Sequence, residues 1–174
     1  MALERDGGSA DGALGGGLGG RPEPPKKIVF LDIDGVLAPI RRWDRYGDLE
    51  SACMQVLNDI VASGGADVVV SSTWRHGKTV AELQEVLEAA GFVGRVLDKT
   101  PSDIRGASRG DEIAAWLADH PVGGCVIIDD HADMGELHTH LVLTHPAHGL
   151  QPADVPRAVA VLMRPGPRTT RADG

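Results

Sequence analysis

Short apolar runs alternate with helical periodicities along the middle of this chain. Lys27-Ile28-Val29-Phe30-Leu31 is a run of the kind found in strands buried on both faces. Ala52, Cys53, Val56, Leu57, Ile60 and Val61 then recur at helical spacing, and Gly64-Gly65 predicts the stop. Asp67-Val68-Val69-Val70 predicts a second buried strand. Val80, Leu83, Val86, Leu87 and Ala90 predict a second helix, closed by Gly91. Val93 to Leu97 predicts a weaker third strand. Ser108 and Asp111 have capping-box spacing and open a helix with Ile113, Trp116 and Leu117 on one face. Val126-Ile127-Ile128 and Leu141-Val142-Leu143 predict two further strands, and Ala153 to Leu162 a closing helix.

Strands alternating with helices imply right-handed βαβ units. The expected fold is α/β: a doubly wound, Rossmann-like three-layer sandwich around a central parallel sheet. The chain has 174 residues, room for one domain and little more. A Gly/Pro-rich segment over residues 1–25 is expected to be a disordered tail, since it offers too little apolar surface to offset its ordering entropy. A misassigned start explains it equally well. The domain proper is expected over 26–163, followed by a flexible tail over 164–174.

Composition narrows the classes. Asp and Glu number 25 against 17 Lys and Arg, for a formal net charge of -8. That balance argues against sequence-independent duplex binding, which rests on cations neutralising phosphates. It leaves open a nucleic-acid end as substrate. No stretch reaches the roughly 18 consecutive apolar residues of a membrane span, and the first residues lack the apolar core of a secretory signal. Cys53 and Cys125 are too few for a disulfide framework or a four-cysteine zinc site, and both are expected in the core. A reduced, cytoplasmic protein without a membrane partner is the default expectation. His138, His140, His145 and His148 cluster in sequence, but no cysteine lies near them and zinc is not favoured.

In a doubly wound sheet the ligand sits at the carboxyl ends of the strands. Asp32-Ile33-Asp34-Gly35 follows the first strand and Ser71-Ser72-Thr73-Trp74-Arg75 the second. Asp129-Asp130 follows the fourth, and Arg109-Gly110 opens the helix before it. Taken singly, each has a bland explanation as a cap, a turn or a solvated cation. Taken together they bring four carboxylates to one rim. Mutually repelling carboxylates are not gathered for stability. They call for a bound cation, and oxygen-only ligands point to Mg²⁺.

This ordered set resembles the haloacid dehalogenase (HAD) superfamily. The first motif matches over Phe30-Leu31-Asp32-Ile33-Asp34-Gly35-Val36-Leu37, the second at Ser71, the third at Arg109 and the fourth at Asp129-Asp130. The third position is usually Lys in that superfamily, so Arg109 departs from the pattern while keeping the charge; Arg105 is the weaker candidate for it. Asp133 supplies the superfamily's alternative spacing in the fourth motif. The resemblance covers residues 27 to 162. A narrower likeness runs through Ser-Ser-Thr-Trp-Arg, Arg-Gly-Asp-Glu-Ile-Ala-Ala-Trp-Leu and Ile-Ile-Asp-Asp-His-Ala-Asp-Met. These segments are similar to the uncapped HAD branch associated with Swiss Army knife RNA-repair proteins.

The resemblance implies a Mg²⁺-dependent phosphatase working through an aspartyl-phosphate. Asp32 would be the nucleophile and Asp34 the general acid–base. Ser71 and Arg109 would bind the transferring oxygens, with Ser72 as the fallback. Asp32, Asp129 and the backbone carbonyl of Asp34 would hold Mg²⁺, with Asp130 or Asp133 acting directly or through water. The gaps Leu37 to Ser71 and Ser72 to Arg109 are too short for a cap domain, so the site is expected to be open to large substrates such as an RNA or DNA end. Arg41, Arg42 and Trp43 lie where the superfamily has a flap, and a cation–aromatic mix suits a nucleotide. Arg75 is expected either to bind a second phosphate or to pair with Asp129 or Asp130, and His131 to line the rim. The alternatives are a small-metabolite or nucleotide phosphatase, and a non-catalytic HAD-fold binding module. A phosphoacceptor receiver domain fits less well, because its acceptor would be Asp98 and Asp34 would go unexplained.

Overall fold

The computed structural model describes residues 25–42 and 47–167. Five strands, β1 (Lys27–Leu31), β2 (Ala66–Val70), β3 (Val96–Lys99), β4 (Gly124–Asp129) and β5 (Leu141–Leu143), form one all-parallel sheet in the order β3-β2-β1-β4-β5. Helices α1 (Ser51–Gly64), α2 (Val80–Ala89) and α3 (Arg109–Asp119) join the first four strands, and α4 (Asp154–Leu162) follows β5. This is the doubly wound α/β sandwich expected from the alternation of runs and periodicities. The Gly/Pro-rich segment up to residue 24 and the last residues from 168 lie outside the described residues.

Each face of the sheet buries its own apolar cluster, because successive strand side chains point to opposite faces. Val29 and Leu31 of β1, with Val68 and Val70 of β2, pack against Leu57 and Ile60 of α1, Leu83 and Leu87 of α2, and Leu162 of α4. Ile28 and Phe30 of β1 and Val69 of β2 face Ile113, Trp116 and Leu117 of α3. Phe30 meets the Trp116 ring edge-on at 5.5 Å, and the Trp116 indole N–H donates to Asp98 on β3 at 2.7 Å. These contacts fix α3 across the sheet, which matters because its first residue is Arg109.

Local chemistry sets the element ends. Gly65 takes the left-handed conformation (φ 60°) that closes α1. Thr79 with Glu82, and Ser108 with Asp111, form reciprocal capping boxes on α2 and α3. One boundary differs from expectation. The third strand starts at Val96, not Val93, whose side chain is 81% exposed. Asn58 of α1 accepts the Val93 N–H and donates to the Gly91 carbonyl, so this stretch is tied down as a loop before β3 begins. Two 3-10 segments, Thr73–Arg75 and Gly135–His140, were not foreseen, since three-residue periodicity is lost among turn-forming residues. Among the described residues no cap domain is inserted, and no helix is long and apolar enough to cross a membrane.

Candidate active site

Register alone gathers the candidate residues. Leu31 of β1 pairs with Val70 of β2 and with Ile128 of β4. Asp32 is therefore flanked by Ser71 on one side and Asp129 on the other. Val70 pairs with Lys99, which sets Thr100 beside Ser71; Asp129 pairs with Leu143, which sets Thr144 beside Asp130. Backbone bonds extend the ladder past the strands: the Asp32 N–H reaches the Ile128 carbonyl at 3.0 Å, and the Ser71 N–H the Leu31 carbonyl at 2.9 Å. Asp32, Ser71, Ser72 and Asp129 are all buried at this rim.

Asp32 keeps the parity of Phe30 and so looks toward the face covered by α3. Arg109 comes from that helix to meet it. One guanidinium nitrogen, Nη1, lies 3.1 Å from Asp32 Oδ1 and 3.1 Å from Asp129 Oδ2. A cation at the first position of a helix opposes the helix dipole. Its place is explained by the two carboxylates, not by helix stability. Gly110 next to it lets the helix start approach the chain after β4, because a Cβ there would fall 2.7 Å from the Met134 carbonyl carbon.

After Asp32 the chain turns sharply, and the Ile33 carbonyl accepts from the N–H groups of Val36, Leu37 and Ala38. Gly35 sits in this turn with φ +73°, and a Cβ there would collide with the Asp130 carboxylate. The turn presents Asp34, whose Oδ2 accepts the Trp74 indole N–H at 3.0 Å while its buried Oδ1 has no hydrogen-bond partner. Thr144 donates to the Gly35 carbonyl at 2.9 Å and holds the turn from the β5 side.

Electrostatics follow from this crowding. Burial, then the neighbouring Asp32, push Asp129 up to about 6, against the pull of Arg109 and the His131 N–H. Asp34 is also held above the ordinary carboxylate value. Burial is the main cause, with Asp32 and Asp130 adding to it and the Trp74 hydrogen bond opposing it. Burial on its own would lower His131, but Asp130, Asp129 and Asp32 outweigh it and keep the imidazole above its ordinary value.

Asp32, Asp129, Asp130 and His131 each offer a ligand atom within 4.8 Å of the others. Three carboxylates with one cationic side chain between two of them form a donor set that fits a hard divalent ion. The Asp34 and Asp133 side chains stand outside this group, and of the two candidates to assist Asp129 it is Asp130 that joins it. His131, foreseen only as a rim residue, belongs to it: its Nδ1 is 2.7 Å from Asp130 Oδ1. Among the described residues, the sequence cluster from His138 to His148 makes no comparable group.

Arg75 departs from expectation. It lines the cleft beside the site but does not pair with Asp129 or Asp130. Its buried guanidinium donates to the carbonyls of Ser71, Ser72, Thr100 and Pro101 and pairs with Glu112 at 2.7 Å. Ser71 and Ser72 are also separated in role. Ser72 accepts the Trp74 backbone N–H at 3.4 Å, whereas the buried Ser71 hydroxyl has no partner. Arg41 is exposed and pairs with Glu50, Arg42 is exposed, and Trp43 lies outside the described residues. Trp74, Glu112 and Thr144 were missed by residue-type reasoning. The signal for Trp74 was its position two residues past Ser72 and for Glu112 its place in the Arg-Gly-Asp-Glu-Ile segment; Thr144 carried none.

Beside the carboxylates lies an open cleft of about 330 Å³, whose walls include Thr73, His76, Ser102, Arg109, His131 and Asp133. Residues 28–155 match the family described as the HAD domain in Swiss Army Knife RNA repair proteins. No curated protein matches the chain.

Proposed function

The chain belongs to that family of HAD domains, and from this premise we propose that it is a Mg²⁺-dependent phosphatase that hydrolyses a phosphomonoester, with nucleic-acid ends, RNA above all, as the substrate class. The observation that carries the reading is the rim itself: Asp32 between Ser71 and Asp129, Arg109 on Asp32, and Asp34 set one turn further on.

Asp32 is the nucleophile. Its carboxylate attacks phosphorus, the P–O bond to the leaving group breaks, and an aspartyl-phosphate forms. The difficulty is electrostatic, since two anions about 4 Å apart repel by roughly 4 kcal/mol at an effective dielectric of about 20. Arg109 supplies one compensating charge. Asp32, Asp129 and the Asp34 carbonyl would hold Mg²⁺, with Asp130 beside them; when bound, the ion neutralises charge on the phosphoryl oxygens. The unpartnered Ser71 hydroxyl and Arg109 bind those oxygens as charge develops.

Asp34 is the general acid–base. It gives its proton to the leaving oxygen, then takes one from the water that attacks the aspartyl-phosphate and regenerates Asp32. A carboxyl raised by burial and two neighbouring carboxylates suits that first, protonated role. The absence of a cap among the described residues favours a large substrate over a small metabolite, which would have less to grip.

The test is phosphate release from an aryl phosphate and from 3′- and 5′-phosphorylated RNA oligonucleotides with Mg²⁺. Release is expected to vanish in Asp32→Asn and with chelator, and to be faster for one RNA end. Faster turnover of small phosphates would move the reading to a metabolite or nucleotide phosphatase. No release from any ester by folded, Mg²⁺-loaded protein would leave a binding module.

A further inference from the structure

The ion pair between buried Arg75 and partly buried Glu112 has no part in the chemistry above, yet it reaches Arg109. Arg75 is 2% exposed and gathers four carbonyls from the loops after β2 and β3. Its remaining partner, Glu112, is on the first turn of α3. Glu112 Oε2 also lies 3.9 Å from Arg109 Nε. The Arg109 guanidinium is therefore flanked along one edge by Glu112 and held at Nη1 by Asp32 and Asp129. Nη2 is left outside these contacts.

We infer that Glu112, anchored by Arg75, is a positioning residue that orients the Arg109 guanidinium against Asp32. Charge requires such a residue. Burial, and after it the nearby Arg109, disfavours the charge on Arg75. Glu112 offsets that penalty at 2.7 Å and also contacts Arg109. Geometry supports it too: a guanidinium held at one nitrogen swings about that contact, and a carboxylate 3.9 Å from its Nε favours one orientation. Arg75 links this orientation to the strand ends, because it is bonded to the carbonyl of Ser71, whose hydroxyl faces no partner of its own. One buried cation thus ties together the two groups proposed to receive the phosphoryl oxygens.

The kinetic consequence rests on the phosphatase reading; the geometric one does not. The test variant is Glu112→Gln, which keeps the size and an acceptor for Arg75 but removes the charge. The expected result is a fall in kcat of up to about a hundredfold with Mg²⁺ and an aryl phosphate, larger than any rise in KM. A crystal structure of the variant is expected to show Arg109 displaced from Asp32. Arg157→Ala, which removes an ion pair with Asp154 on α4, is expected to keep full activity. Should the Gln variant not fold, Glu112→Asp is read in the same two ways, with a smaller loss expected. Unchanged kcat with only a lower Tm overturns the inference and leaves the phosphatase reading standing. If the wild type hydrolyses no ester, that reading falls, and the crystal structure decides the inference alone: Arg109 moved from Asp32 upholds it, Arg109 in place overturns it.

Discussion

Gly35 carries two constraints that its place in a motif does not reveal. Its φ of +73° costs an L side chain about 1–2 kcal/mol, and a Cβ would drive into the Asp130 carboxylate. Gly35→Ala is expected to lower the unfolding free energy by at least that amount in a urea titration, and to reduce divalent-ion affinity measured by calorimetry. An unaltered ion affinity would show that Asp130 does not need its present place. Trp74 offers a finer test. Its indole N–H is the one hydrogen bond that holds Asp34 down against burial and its acidic neighbours. In Trp74→Phe the Asp34 pKa is expected to rise further, so the limb of the kcat/KM profile set by Asp34 moves to higher pH. A profile that does not move would remove Asp34 from the acid–base role.

At the scale of elements, α3 decides whether the site exists. Its capping box fixes where the helix begins, and Arg109 is its first residue. Ser108→Ala is expected to cost about 1 kcal/mol in thermal or chemical unfolding. It also loosens the turn that carries Arg109, so activity is expected to fall more steeply with temperature than in the wild type. Gly110 lets that same turn lie against Met134. The loop before β3 shows the opposite case. Val93 reads as strand from its apolar run, yet Asn58 and the Phe92–Gly94 packing hold it as an exposed loop. The apolar run predicts a strand from Val93 to Leu97, whereas β3 spans Val96–Lys99, and the partner that holds Val93 outside it lies 35 residues away.

For the whole molecule, the acidic rim stores a pH-dependent cost. Asp129 is raised by burial from 3.8 to about 6, so the folded state binds its proton more tightly than the unfolded chain. That contribution is fully present below about pH 4 and is lost as pH rises through about 6. Asp34 and His131 are raised too and act in the same direction. With chelator present, unfolding free energy is expected to fall across this window by an amount on the order of 3 kcal/mol for Asp129. Asp129→Asn should flatten the curve and be the more stable protein at neutral pH. Adding Mg²⁺ should raise the wild-type Tm and leave that of Asp129→Asn nearly unchanged; equal responses would place the ion elsewhere.

Alternating apolar runs and helical periodicities were enough to order the elements, because burial on both faces of a parallel sheet leaves a mark on every strand. The chain past these strands' carboxyl ends pointed to Asp32, Asp34, Ser71 and Asp129, and the helix start before β4 to Arg109, since ligands of a doubly wound sheet sit at that rim. The partners of these residues were decided only by the tertiary structure. Arg75 looked equally suited to a phosphate or to Asp129 and Asp130, and it is spent on four carbonyls and Glu112. His131 enters the carboxylate group, and Trp74 holds Asp34, through contacts made 40 residues apart in the second case. A side chain's type limits what it can donate or accept, and periodicity says which face it leaves by. Which donor meets which acceptor depends on strand register and helix placement, and these are settled only when the whole core packs.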